Sequence, residues 1–334
     1  MDEAIKIVND IKAGQIKPIY FLMGEEAYYI DKIADFIEQN VLTEEEKGFN
    51  QTVLYGRDVT IEDIISTSKR FPMMAERQVV IIKEAQDLSR TIEQIENYTN
   101  DPVPTTVLVF CYKYKTIDKR KKFTKNIEKM GVLFESKKLY ENQVGDWINR
   151  LLKAKGYGIE PKATAMLVEF LGADLSKIHN ELEKLQIVLP KQSTITAKDI
   201  EDNIGFSKDF NVFELRKAIG ERNILKAYQI VHYFSENPKE NPMLMVTALI
   251  FGYLQQLLQY HGLKDKSSKN VAAALKISPY FTKDYELAAR NFPMKKVSAA
   301  IAKLRDMDVK SKGVGANNLP MHDLYKELLS TLFN

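Results

Sequence analysis

The clearest signal along the chain is a set of short apolar runs alternating with segments of helical period. Pro18-Ile19-Tyr20-Phe21-Leu22-Met23-Gly24, Gln51–Tyr55, Val79–Ile82, Thr105–Tyr112 and Val132-Leu133-Phe134 are rich in β-branched and aromatic residues. Val79–Ile82, a continuous β-branched run bounded by charge, lacks the polar alternation of a strand with one wet face and fits a strand covered on both faces, the habit of parallel sheets. Between the runs apolar residues recur every three or four positions: Ile5, Val8 and Ile11; Ile30, Ile33, Ala34, Phe36 and Ile37; Ile61, Ile64 and Ile65 behind Thr60 as N-cap. Leu88–Tyr98 and the stretch ending at Met130 read as further helices. Five strands alternating with helices predict a three-layer α/β domain over residues 1–140.

Beyond Tyr140 no convincing strand pattern returns. Val144, Trp147, Ile148, Leu151 and Leu152 mark one helix, Pro161 opens another, and Leu175, Ile178, Leu182 and Leu185 share a face of a third. Thr194–Ile200 looks like a capped terminal helix. These predict a small helical domain, 141–207, followed by a hinge at Ile204-Gly205-Phe206-Ser207. From Phe213 onward the pattern is helical, giving a third domain, 208–334. Its long apolar helix, Pro242 to His261, holds Met243, Leu244, Val246, Leu249, Ile250 and Tyr253, more apolar surface than a narrow bundle needs.

Composition adds limits. A single cysteine, Cys111, excludes an internal disulfide, fits a reducing cytoplasm, and follows an apolar strand as a small hydrophobe would. The N-terminus lacks the basic and apolar regions of a signal peptide. The longest apolar runs meet Gln, His or Lys before membrane-spanning length, so a cytoplasmic protein without a membrane partner is expected. Net charge is only +3, but Lys113–Lys125 holds seven basic residues against Asp118 alone, and Lys264–Lys312 holds twelve against five acidic ones. Such runs can face a polyanion or simply be solvated. His179, His232, His261 and His322 show no metal spacing, and no nucleophile elbow occurs; no metal, cofactor or catalytic residue is expected.

Two stretches carry the functional argument. Strand, Gly24, then helix is where an α/β domain would cradle phosphate. A phosphate loop needs spaced glycines and a Lys-Ser/Thr pair, whereas Gly24 is followed by Glu25-Glu26-Ala27-Tyr28-Tyr29. The strand at Val79–Ile82 ends in Lys83-Glu84-Ala85 and not in the acidic pair that would hold Mg²⁺. The second stretch, Arg70-Phe71-Pro72-Met73-Met74-Ala75-Glu76-Arg77, places apolar side chains between a helix and a strand, where loops are usually polar. Either Phe71, Met73 and Met74 tuck under the sheet edge as core, or they are offered to a partner.

Taken together, the sequence resembles the delta subunit of the bacterial DNA polymerase III clamp loader. The resemblance covers essentially the whole chain and rests on Pro18–Glu26, Phe71–Arg77, Asp118-Lys119-Arg120-Lys121-Lys122-Phe123, Trp147-Ile148, Gly172-Ala173-Asp174-Leu175 and Asn180–Leu185. It implies an AAA+-like α/β domain without phosphate-loop residues, a helical lid domain and a C-terminal helical collar. It also implies no intrinsic ATPase: the subunit acts within the polymerase III holoenzyme, binding the sliding clamp (beta) and favouring an open ring. The collar would join the ATPase and delta-prime-type subunits, and the complex would act on primer-template DNA. Clamp-binding residues carry over to Met73 and Met74, with Phe71 preceding them; many members have Leu and Phe at the pair, and here both are Met. Ser176 falls where active AAA+ relatives carry a phosphate-sensing arginine. Lys119, Arg120, Lys121 and Lys122 are candidates to face DNA. The competing reading is a divergent P-loop-like ATPase of the AAA+ class.

Overall fold

The apolar runs of the first 140 residues pair side by side into one parallel sheet. The computed structural model describes residues 2–203, 212–239, 241–312 and 320–333, and the chain divides into two compact units, Met1–Tyr140 and Glu141–Asn334. The first unit runs α1 (Asp2–Lys12), β1 (Ile19–Gly24), α2 (Ala27–Asn40), α3 (Glu44–Asn50), β2 (Gln51–Tyr55), α4 (Ile61–Ser68) and β3 (Gln78–Lys83). It continues through α5 (Glu96–Asn100), β4 (Thr106–Lys113), α6 (Lys122–Met130) and β5 (Val132–Ser136). Strand order is β2-β3-β4-β1-β5, every pairing parallel.

β1 is buried throughout, and β3 and β4 up to their last residues, Lys83 and Lys113. Ile19, Phe21, Val80, Ile82, Leu108 and Phe110 point to one face, where they meet Ile61, Ile64, Ile95, Phe123 and Ile127 of the α4–α6 side. Alternate residues of the same strands point to the other face, which α2 covers with α1 against it. Helices on both faces explain why the strands lack polar alternation. Each fully buried aliphatic side chain contributes about 1.5–3 kcal/mol.

Two local readings change. The helix predicted over Leu88–Tyr98 is instead two 3₁₀ turns, Ala85–Leu88 and Ile92–Ile95, leading into α5. Between them the Thr91 hydroxyl and N–H both donate back to the Leu88 carbonyl, which ends the first turn. α3, for which the sequence analysis predicts no helix, is fixed by a capping box: Thr43 Oγ1 accepts from Glu46 N–H, and the Glu46 carboxylate accepts from Thr43 N–H at 2.9 Å.

The second unit is helical: α7 (Glu141–Ala154), α8 (Pro161–Leu171), α9 (Leu175–Val188), α10 (Ala197–Asn203), α11 (Val212–Gly220) and α12 (Ile224–Glu236). α13 (Met243–Gly262), α14 (Ser268–Leu275), α15 (Thr282–Asn291), α16 (Met294–Ser311) and α17 (Met321–Phe333) follow. Contrary to the strand-free expectation, β6 (Gly158–Ile159) and β7 (Thr194–Ile195) form a parallel pair, too short for alternation to show. The helix predicted from Thr194 therefore begins at Ala197, with Thr196 and Asp199 bonded reciprocally at its start. The proposed hinge at 204–207 and the boundary at 207/208 lie outside the described residues.

α13 is long and apolar enough to cross a membrane by length and composition, which the sequence reading had not anticipated. Its Val246, Ile250, Tyr253, Leu254, Leu257 and Tyr260 are instead buried in the core shared by α11–α17, and the Tyr285 hydroxyl donates a hydrogen bond to Gln256 Oε1 at 2.5 Å. The apolar surplus read along this helix thus splits. Val246, Ile250 and Tyr253 are core, Met243 is partly buried, and Leu244 and Leu249 are exposed together with Met245 and Phe251.

Candidate functional site

The loop between α4 and β3 carries its apolar residues outward. Phe71 is 86% exposed, Met73 60%, and Met74 fully exposed. They are not core, and in water they are costly unless something covers them.

The loop is held from below by two buried amides. Asn50, the last residue of α3, accepts the Met73 N–H at 2.6 Å and donates to the Met73 carbonyl at 2.9 Å and to Glu46 O at 3.1 Å. Gln78, the first residue of β3, donates to the Arg70 carbonyl at 2.6 Å and to Thr106 Oγ1 at 2.8 Å. Thr106 Oγ1 in turn donates to Ser68 O at 2.8 Å. The backbone is thus pinned on both sides of Phe71. Met74 sits in the left-handed region at φ +54°, uncommon for a residue with a Cβ. α3 runs straight into β2, and Gln51 stands beside Val79 in the sheet, so brace and tip share the N-terminal edge of neighbouring strands. Sequence reasoning found the tip residues and missed Asn50 and Gln78.

The opposite edge of the sheet, where ligands of open α/β folds bind, is occupied by the chain itself. Gly24 N–H donates to Lys115 O and Glu25 N–H to Ser136 O, each at 3.1 Å. At φ +123° a side chain on Gly24 would place its Cβ 2.1 Å from Ser136 O. Lys113, ending β4, sends its ammonium between Asp31 Oδ1 at 2.8 Å and Glu84 Oε1 at 2.9 Å. Burial opposes its charge, but the bonds to both carboxylates outweigh this and hold its pKa above the usual lysine value. Gln86 accepts the Lys113 backbone N–H at 3.1 Å and donates to Glu84 at 2.6 Å. Beside it Lys83, ending β3, pairs with Glu38 at 3.1 Å.

The basic candidates are exposed, and each has an acidic partner. Lys119 meets Glu135 at 2.6 Å, Arg120 meets Asp118 at 2.7 Å, Lys121 meets Glu93 at 3.3 Å, and Lys122 meets Glu96 at 3.1 Å. The Asp118 carboxyl is held well below the usual carboxylate range by hydrogen bonds from Arg120. Exposed pairs are weak enough to be exchanged for other anions. Cys111 is buried, and burial pushes its thiol up to about 12. Ser176 is exposed in the first turn of α9, which Asp174 caps by accepting Lys177 N–H at 3.0 Å. Among the described residues no three His, Cys, Asp or Glu converge as a metal-holding group.

One chain thus joins a helix-covered parallel α/β unit with an apolar tip to a largely helical unit. The family description "DNA polymerase III, delta subunit" matches residues 20–137, and "DNA polymerase III delta subunit, C-terminal domain" matches 209–325. DNA polymerase III subunit delta of Bacillus subtilis (strain 168) is 29% identical over 315 residues, covering 91% of this chain and 90% of that protein. A probable DNA polymerase III subunit delta of Aquifex aeolicus (strain VF5) is 22% identical over 228 residues, 64% of this chain and 62% of that one. The solved structure of the Bacillus subtilis DNA clamp loader delta protein (YqeN) superposes with a TM-score of 0.60 at 27% identity, covering 99% of both chains. The chain belongs to the DNA polymerase III delta subunit family. Its role is that of a clamp-loader subunit in DNA replication, working in a complex with other clamp-loader subunits.

Proposed function

We propose that this subunit binds the sliding clamp through Phe71, Met73 and Met74 and holds the ring open for loading onto primer-template DNA, without catalysing a reaction itself. The observation that carries this reading is three exposed apolar side chains on a loop whose backbone is fixed by Asn50 and Gln78. A flexible loop would lose conformational entropy on binding; a braced one has already lost it. Methionine adapts to an irregular pocket, so a Met-Met pair suits a surface it must enter and leave.

In this reading the collar, residues 208–334, joins the ATPase and delta-prime-type subunits, and Leu244, Met245, Leu249 and Phe251 of α13 are the face offered. A lid domain, 141–207, precedes it, and Lys119, Arg120, Lys121 and Lys122 exchange their carboxylate partners for DNA phosphates in the assembled complex. The protein works in the cytoplasm. The competing ATPase reading finds no support at the strand ends, where the loop N–H groups are already donated to carbonyls.

The test is the double substitution Met73→Ala with Met74→Ala, measured against purified clamp. Burying each Met contributes about 1.5–3 kcal/mol, and each 1.4 kcal/mol is about tenfold in affinity. Binding should weaken by about 100-fold or more while Tm and assembly with the other subunits stay unchanged. Wild-type affinity in the folded double variant overturns the reading.

A further inference from the structure

A second exposed aromatic stands next to the tip on a different element. Phe49 is 76% exposed and is the penultimate residue of α3. Its neighbour Asn50 is the residue whose amide grips the Met73 backbone from both directions. Consecutive Cα atoms lie about 3.8 Å apart, so Phe49 is one residue step and one amide group from the tip backbone.

Phe49 is also held firmly. Thr43 and Glu46 close a capping box at the start of α3, and the Lys47 ammonium donates to Gln39 O at 3.2 Å, tying the helix to the end of α2. At its other end α3 enters β2 without an intervening loop. A lone exposed apolar residue is ordinary on a protein surface. Phe49 and the tip residues Phe71, Met73 and Met74 are exposed apolar residues on two elements whose backbones Asn50 joins at one edge of the sheet.

We propose that Phe49 is a direct contact of the sliding clamp, so that the binding surface has two elements, the tip loop and the end of α3. The occupant follows from continuity: a partner large enough to cover Phe71, Met73 and Met74 meets Phe49 on the adjoining, rigidly connected element. Aromatic side chains are enriched among the residues that dominate interface energies. This inference rests on the tip being the clamp-binding site.

The experiment titrates purified clamp with the full-length wild-type chain, Phe49→Ala, Phe49→Tyr and the Met73→Ala/Met74→Ala variant, with Tm recorded for each. Phe49→Ala should bind about tenfold more weakly at unchanged Tm, and Phe49→Tyr, which keeps the ring, should bind near wild-type level. Wild-type affinity for Phe49→Ala beside a weakened double-Met variant overturns this inference and leaves the tip reading standing. Full affinity in the double-Met variant removes the tip reading, and the inference with it. A fall in both Tm and affinity for Phe49→Ala that Phe49→Tyr does not restore assigns Phe49 to the packing of α3 and likewise overturns the proposal.

Discussion

Asn50 shows how one buried polar side chain can govern a surface it does not belong to. It makes three hydrogen bonds within 3.1 Å, two of them to the Met73 backbone. Removing it leaves Met73 N–H and C=O without this partner, at a cost of about 1–3 kcal/mol. Next to this anchored residue Met74 stands at a positive φ, a conformation that costs roughly 1–2 kcal/mol for a residue with a Cβ. Asn50→Ala should therefore loosen the tip more than the fold. Amide hydrogen exchange at Met73 should accelerate, clamp affinity should fall several-fold, and exchange in β1 and β4 should stay slow. Unchanged exchange at Met73 would show that the loop holds its shape without the brace.

At the scale of elements, the legible features were those whose signal is local. β1, β3 and β4 declared themselves by unbroken apolar runs, and α4 by Thr60 followed by its helical period. The Thr43–Glu46 capping box was equally present in the chain and would have revealed α3. Other features were invisible because their partners lie far away in sequence. Asn50 and Met73 are 23 positions apart, and the carboxylates facing Lys119, Lys121 and Lys122 come from Glu135, Glu93 and Glu96 on other elements. The tip residues could be named, while whether they were core or surface awaited the fold. The strand ends were readable as a phosphate loop lacking its parts; that Lys113, Asp31 and Glu84 fill the space was not. From that filling we expect no saturable ATP binding by the isolated subunit at micromolar nucleotide, by equilibrium titration with labelled ATP. The loop N–H groups of Gly24 and Glu25 are spent on carbonyls, and Asp31 and Glu84 present charge of the wrong sign for phosphates. Saturable binding would require this edge to rearrange and would restore the ATPase reading.

At the scale of the molecule, two apolar surfaces lie in two separate units, and the proposed function gives them different partners. The second surface is on α13, whose inner side is fixed in the core by Val246, Ile250, Tyr253, Leu254 and Leu257. Its outer side keeps Leu244 65% and Phe251 41% exposed, and both line a groove with Thr247, Ala248, Ile301 and Arg305 between α13 and α16. An apolar groove on a helical bundle suits a helix from a neighbouring subunit, packed through residues of period three to four. Leu244→Glu with Phe251→Glu puts two charges on that side without entering the core. The variant should keep its Tm and bind the clamp as wild type does, yet fail to co-elute with the other clamp-loader subunits in gel filtration. Met73→Ala with Met74→Ala should do the reverse, joining the complex while losing the clamp. Should the α13 variant still assemble at wild-type stoichiometry, the joint between subunits lies elsewhere on the second unit, and the exposed side of α13 needs another partner.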